Sequence, residues 1–203
     1  MCALNPTIVG AGDSAWRLRV SALSVHPTGD TIIVPDSDER IPFTASDDYG
    51  LGIDAEYRAS RRLGVDFGVL TASPVIDALI DETAMISARG ETRFTPVYAG
   101  LNLHVAPSGH VDFYFGALLS YVFYTEFDFV TDPWFESESI VTENDLAFGL
   151  TLGLDIQLGK SDWLLSASFR YLDTTVEGSP PDGSLGLTEF NPQIFSFGVG
   201  YQF

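Results

Sequence analysis

The sequence predicts an all-β protein, an eight-stranded antiparallel transmembrane β-barrel with short turns at one end and four long loops at the other. Three observations predict it. Apolar residues alternate with small or polar ones at a period of two through eight segments. The connections between those segments alternate short and long. Aromatic residues gather at the segment ends, where a membrane strand meets water.

Taken in order, strands are expected near Ala15–Val25, Tyr49–Arg58, Leu63–Ala72, Thr92–Val105, Val111–Tyr124, Leu146–Leu158, Trp163–Tyr171 and Asn191–Phe203. The sixth is the clearest. Every even position from Leu146 to Leu158 is Leu, Phe or Ile, and the odd ones are Ala147, Gly149, Thr151, Gly153, Asp155 and Gln157. In the seventh, Trp163, Leu165, Ala167, Phe169 and Tyr171 alternate with Leu164, Ser166, Ser168 and Arg170. Most segments reach the roughly 10 residues that a tilted strand needs to cross a bilayer. No long window shows the three- and four-residue spacing of an amphipathic helix.

Ala59–Arg62, Ala106–His110 and Gly159–Asp162 are short connections, whereas His26–Asp48, Ser73–Glu91, Thr125–Glu143 and Thr174–Phe190 are long. Strict alternation of this kind belongs to outer-membrane barrels, with short periplasmic turns and long external loops. The domain reading is an N-terminal periplasmic segment over 1–14 and a barrel over 15–203.

Composition agrees. The 203 residues carry 28 Asp plus Glu against 10 Lys plus Arg, a formal charge of −18. Nucleic-acid binding needs a basic face, so no nucleic-acid partner is expected. Disorder is excluded by a 45% hydrophobic, 13% aromatic chain. The one cysteine, Cys2, supports neither an internal disulfide nor a Cys-based zinc site. The longest uncharged apolar stretch, Phe113 to Tyr124, is too short for a membrane helix. Met1 to Gly12 lacks the basic start and apolar run of a secretory signal. The four long connections hold 19 of the acids and two of the bases, Arg40 and Arg89, so nearly all of the net charge sits on the external side.

Trp16, Tyr57, Trp163, Tyr201 and Phe203 fall at the turn side of the strands, and Phe123, Tyr171 and Phe195 at the loop side. The last strand alternates through Phe195, Phe197, Val199 and Tyr201 to the terminal Phe203. Several stretches together resemble the OmpW family of small outer-membrane proteins. They are Ala11-Gly12-Asp13-Ser14-Ala15-Trp16-Arg17-Leu18-Arg19-Val20 with Pro27, Thr71-Ala72-Ser73-Pro74, Thr95-Pro96-Val97-Tyr98, Tyr114-Phe115-Gly116-Ala117, and Gly198-Val199-Gly200-Tyr201-Gln202-Phe203. The chain departs from the family pattern in its acidic external loops and in showing no signal peptide. The resemblance implies an eight-stranded barrel in the bacterial outer membrane, with a narrow apolar interior and a role in moving small hydrophobic molecules inward.

With the apolar register toward lipid, the other register points into the lumen. Near the periplasmic end it carries Arg17, Arg19, Asp54, Glu56, Arg58, Asp66, Asp112 and Asp155, expected as an ion-paired floor that blocks water and ions. Toward the external end it carries glycines, small residues, Leu70 and Leu118, expected as the lining of an apolar cup, with Arg170 further round. A hydrophobic solute entering the cup would leave sideways through the wall. The other expectation is a non-conducting structural barrel whose acidic loops meet a partner.

No catalytic site is expected. His26, His104 and His110 pair with no serine and acid at nucleophile spacing and are expected as polar surface or interface residues, His104 facing inward near the periplasmic end. No metal-ligand spacing or phosphate loop occurs, and Asp36-Ser37-Asp38-Glu39 with Asp47-Asp48 lacks a calcium-loop pattern. No metal and no cofactor are therefore expected. Trp134 and Phe135, in the third long connection, are expected to fold over the mouth or contact a partner. Partners are otherwise the membrane lipid, lipopolysaccharide and a small hydrophobic ligand; the sequence leaves oligomeric state open.

Overall fold

The structure, a computed structural model, describes residues 16–29, 31–33, 40–81, 86–105, 110–125, 127–129, 138–142, 144–179 and 186–203. The 1–14 segment and the pair Trp134 and Phe135 lie outside the described residues. Within them every regular element is a strand, in the order β1 (Trp16–His26), β2 (Thr31–Ile33), β3 (Arg40–Ala45), β4 (Asp48–Arg58), β5 (Leu63–Thr71), β6 (Val75–Asp81), β7 (Ile86–Glu91), β8 (Phe94–His104), β9 (Val111–Tyr124), β10 (Phe127–Phe129), β11 (Glu138–Thr142), β12 (Asp145–Gln157), β13 (Trp163–Asp173), β14 (Thr175–Ser179), β15 (Gly186–Glu189) and β16 (Gln193–Gln202).

Eight of these close into a barrel in the order β1-β16-β13-β12-β9-β8-β5-β4. The closing pair is antiparallel β1 with β16, running from Arg17↔Gln202 to His26↔Gln193. The backbone N–H of Phe203 also donates to the carbonyl of Trp16 at 2.9 Å, fastening the last residue to the first strand. Closure satisfies the backbone polar groups that lipid cannot.

Alternation sets which side chains meet lipid. Leu150, Leu152, Phe148, Phe197 and Leu51 stand on the outer face, each more than half exposed, while their sequence neighbours turn inward. Such a surface fits hydrocarbon and would aggregate in water. At the turn end Trp16 packs on Tyr57 and Trp163 on Tyr201, with ring centroids 5.1 and 5.2 Å apart, and Tyr201 on Phe203 at 5.1 Å. At the loop end Tyr121 meets Phe123, and Phe169 meets Phe195.

The long connections differ from the expectation of loops. Their described residues form a second sheet, in the order β10-β11-β14-β15-β2-β3-β6-β7, that carries the hairpins beyond the barrel. In water a strand gains nothing from an apolar face on one side, so these segments lack the strong period-two contrast of the membrane strands.

Candidate functional site in the barrel lumen

The lumen is built in three tiers. The lowest follows from strand register, which sets acids side by side. Asp112 lies directly opposite Asp155 across β9 and β12, and Glu56 opposite Asp66 across β4 and β5. Like charges in those positions repel, and arginines from β1 bridge both pairs. Arg17 Nη1 donates to Asp112 Oδ2 at 2.8 Å and to Asp155 Oδ2 at 3.0 Å. Arg19, 2% exposed, donates through Nη1 to Asp54 at 2.9 Å and through Nη2 to Asp155 at 2.7 Å and to Glu56. It stands 4.0 Å from Asp66. Arg58 donates to Asp112 at 2.8 Å and to the Arg61 carbonyl at 2.7 Å. All eight residues expected at the floor therefore meet in one ion-paired cluster.

Two further residues join it. His104 faces inward near the periplasmic end, as expected, but is a buried member of the cluster rather than a polar surface or interface residue: it is 1% exposed, with Nε2 2.6 Å from Glu56 and Nδ1 3.0 Å from Asp112. Arg170, placed toward the external end, reaches down the lumen to 3.6 Å from Asp54 and 3.9 Å from Asp66. The inward register marked both. A guanidinium on a long stem acts well below its own Cα, which spacing along a strand does not reveal.

The middle tier is a pair of tyrosines whose ring faces meet two of those arginines. The Arg19 guanidinium lies 5.3 Å from the Tyr114 ring centre, and that of Arg170 lies 5.0 Å from the Tyr98 ring centre. Each ring occupies space that glycine leaves free. A Cβ at Gly68 would strike the Tyr98 ring, and one at Gly153 the Tyr114 ring. Buried charges and flat rings here attract through the ring quadrupole.

The upper tier departs from the open cup expected above the floor. Leu70 and Leu118 are 2% and 5% exposed because side chains fill the space between them. Leu23, Val25, Phe94, Val122, Leu172 and Ile194 pack with them as a continuous apolar core. Strands from all sides of an eight-stranded barrel are close enough for side chains to fill the interior, and leucines reading as wall lining from one strand become core when facing strands also send apolar residues. Phe190 joins from the connection before β16, with ring centroids 5.5 Å from Phe94 and 6.2 Å from Tyr124. It is held there by its N–H, which donates to the Thr174 carbonyl at 3.0 Å, and by Asn191, whose φ of 35° turns the chain. Asn tolerates this left-handed backbone better than most residues. Tyr124 donates to Thr174 Oγ1 at 3.0 Å, which donates to Asp145 at 2.8 Å, closing a polar rim over the apolar tier.

The β5–β8 ladder beside this tier is weakened at one position. Strands β5 and β8 pair from Leu63↔Leu103 to Val69↔Val97, and next at the single bridge Ala72↔Phe94. Phe94 and Ala72 exchange both N–H···O bonds, at 2.9 and 3.1 Å. Alternation places the next such exchange at Leu70 and Pro96, where proline has no N–H to donate. The Thr71 and Thr95 hydroxyls meet at 3.3 Å on the lipid side of this position. Pairing of β8 with β9 runs unbroken through Pro96↔Val122. A separate apolar groove of about 440 Å³, walled by Phe115, Leu150, Leu152, Phe169 and Tyr171 with Gly116 and Thr151 at its base, lies on the lipid face. Among the described residues no group of His, Cys, Asp or Glu is arranged to hold a metal ion.

Solved structures with this architecture are outer-membrane barrels. The chain is similar to OprG from Pseudomonas aeruginosa, with a TM-score of 0.77 and 17% identity over 97% of this chain and 99% of that one. It is similar to AlkL, solved in lipid bilayers, with a TM-score of 0.67 and 20% identity over 100% and 97%. It also resembles outer membrane protein W of Escherichia coli, with a TM-score of 0.50 and 16% identity over 95% and 100%. Comparison with curated proteins gave no match. The sequence model of the outer membrane protein beta-barrel domain matches residues 10–203. With a closed, lipid-faced barrel of eight antiparallel strands to accompany that match, the chain belongs to this family of bacterial outer-membrane barrels and shares its fold with OprG and AlkL.

Proposed function

We propose that the barrel admits small hydrophobic molecules from outside and passes them sideways into the membrane. The observation that carries this reading is the meeting of two features at one height. A mainly apolar upper tier, including Leu70 and Phe94, lies directly behind the position where the β5–β8 ladder is weakened. An apolar solute displaces apolar side chains at little cost in solvation, whereas an ion entering the same tier loses its hydration. Below, the ion-paired floor gives an apolar molecule no favourable path to the periplasm, so the seam at Pro96 is the exit. Lipid, and lipopolysaccharide around the acidic external side, are the surroundings into which this fits.

A second reading is a non-conducting barrel that presents its acidic external side to a partner. The close packing of both tiers favours it. Uptake of a labelled small aromatic hydrocarbon by cells with and without the gene separates the two. Faster entry with the barrel present supports transport; equal entry leaves the structural reading.

A further inference from the structure

The floor has a charge imbalance that His104 resolves. Four arginines and five carboxylates form its ion pairs. One negative charge is left over in a place where uncompensated charge is costly. His104 sits between the carboxylates of two strands, with Glu56 of β4 at one ring nitrogen and Asp112 of β9 at the other. Glu56 Oε1 and His104 Nε2 are both buried and hydrogen-bond to no other group, so their 2.6 Å approach is a contact of charge rather than a well-aligned hydrogen bond. Arg58 Nη1 lies within hydrogen-bond distance of both Asp112 Oδ2, at 2.8 Å, and His104 Nδ1, at 3.0 Å, and Nδ1 is itself 3.0 Å from Asp112 Oδ2, so Asp112 is shared between the two side chains.

We propose that His104 is a positioning residue held as an imidazolium, the fifth cation of the floor, which ties β4 to β9 across the two strands that border the weakened seam. The tie lies below Pro96. Arg58 makes a parallel one, also from β4 to Asp112 of β9. Together they span β5 and β8 and limit the opening of the wall to the upper tier. The groups facing His104 are Glu56 and Arg58 from β4, and Asp112 and the Tyr114 ring, 5.3 Å away, from β9. On the adjoining β5, Gly64 takes the inward position and brings no charge, and on β8 itself the inward neighbour is Asn102. The exposed Arg62 receives only the His104 backbone N–H at its carbonyl. The part played by the seam rests on the function proposed above; the charge role of His104 does not.

Charge balance gives a test that packing alone cannot imitate. The full-length barrel is refolded as wild type, His104→Gln, Glu56→Gln and the double variant. The thermal midpoint is read from the mobility of the folded form on gels, and ion conductance from planar bilayers. With His104 charged, each single change leaves one unpaired charge, lowering the midpoint by roughly 10 °C and raising conductance. The double change restores neutrality and most of the lost midpoint. If His104→Gln does not fold, recovery of folding yield in the double variant is the supporting result. The proposal is overturned if Glu56→Gln alone matches wild type, the outcome for a neutral histidine, or if the two losses simply add. Neither outcome touches hydrocarbon uptake, which tests the transport reading separately.

Discussion

Replacing Arg19 with alanine removes the central cation of the floor. Its guanidinium holds Asp54, Glu56 and Asp155 and meets the Tyr114 ring face. Without it Asp54 keeps only Arg170 at 3.6 Å, and Asp155 keeps Arg17 at 3.0 Å. Glu56 keeps His104 at 2.6 Å and Arg58 at 3.8 Å. Breaking one buried ion pair costs about 3–5 kcal/mol because a charge stays behind unpaired. That is a large share of the roughly 5–15 kcal/mol by which folded proteins are stable, and shifts an unfolding constant by about 10² to 10⁴. Urea unfolding from lipid vesicles measures the loss. Planar-bilayer recording measures the second effect, a cation-selective conductance through a floor left with excess carboxylates. Arg19→Met keeps much of the side-chain volume without the charge, and is expected to behave like alanine. The reasoning is refuted if Arg19→Ala leaves stability and conductance unchanged, or if Arg19→Met restores both, since volume alone would then explain the residue.

Other expectations follow from the upper tiers and the seam. Phe190→Ala should cost about 3–5 kcal/mol by leaving a void among Phe94 and Tyr124, and should speed entry of a hydrophobic solute in an uptake assay; slower or unchanged entry would deny the mouth a role. Pro96→Ala restores an N–H opposite Leu70, so it should raise the unfolding midpoint by the worth of one hydrogen bond, about 1 kcal/mol, and slow solute release into the membrane. Gly153→Ala pushes a methyl group into the Tyr114 ring and should cost about 1–3 kcal/mol, seen as a lower midpoint with no gain in the ion selectivity that Arg19→Ala produces.

Much of the barrel was legible because lipid enforces a contrast. Phe148, Leu150 and Leu152 face hydrocarbon while Gly149 and Thr151 face a crowded lumen, and each strand repeats that choice. The observed β12, Asp145–Gln157, lies within one residue of its expected ends. The same register indicated the eight charged residues of the floor. Three things were not legible. The short paired strands β2 with β3 and β14 with β15 carry no such period-two contrast in their sequences. The reach of Arg170 down to Asp54 depends on side-chain length and on the space beside Tyr98. The filling of the upper lumen depends on Phe94 from β8 meeting Phe190 and Ile194 from the entry to β16, far apart in the chain, which no single strand pattern displays.

The most direct test of the account compares two solutes of equal size in the same cells, one an aromatic hydrocarbon and one a polar sugar alcohol, with and without the barrel. A mainly apolar tier behind a weakened seam, above a sealed floor, predicts faster entry of the hydrocarbon and unchanged entry of the polar solute. Faster entry of both would mean a water-filled pore through the floor, and no change in either would mean a closed barrel; each contradicts the account.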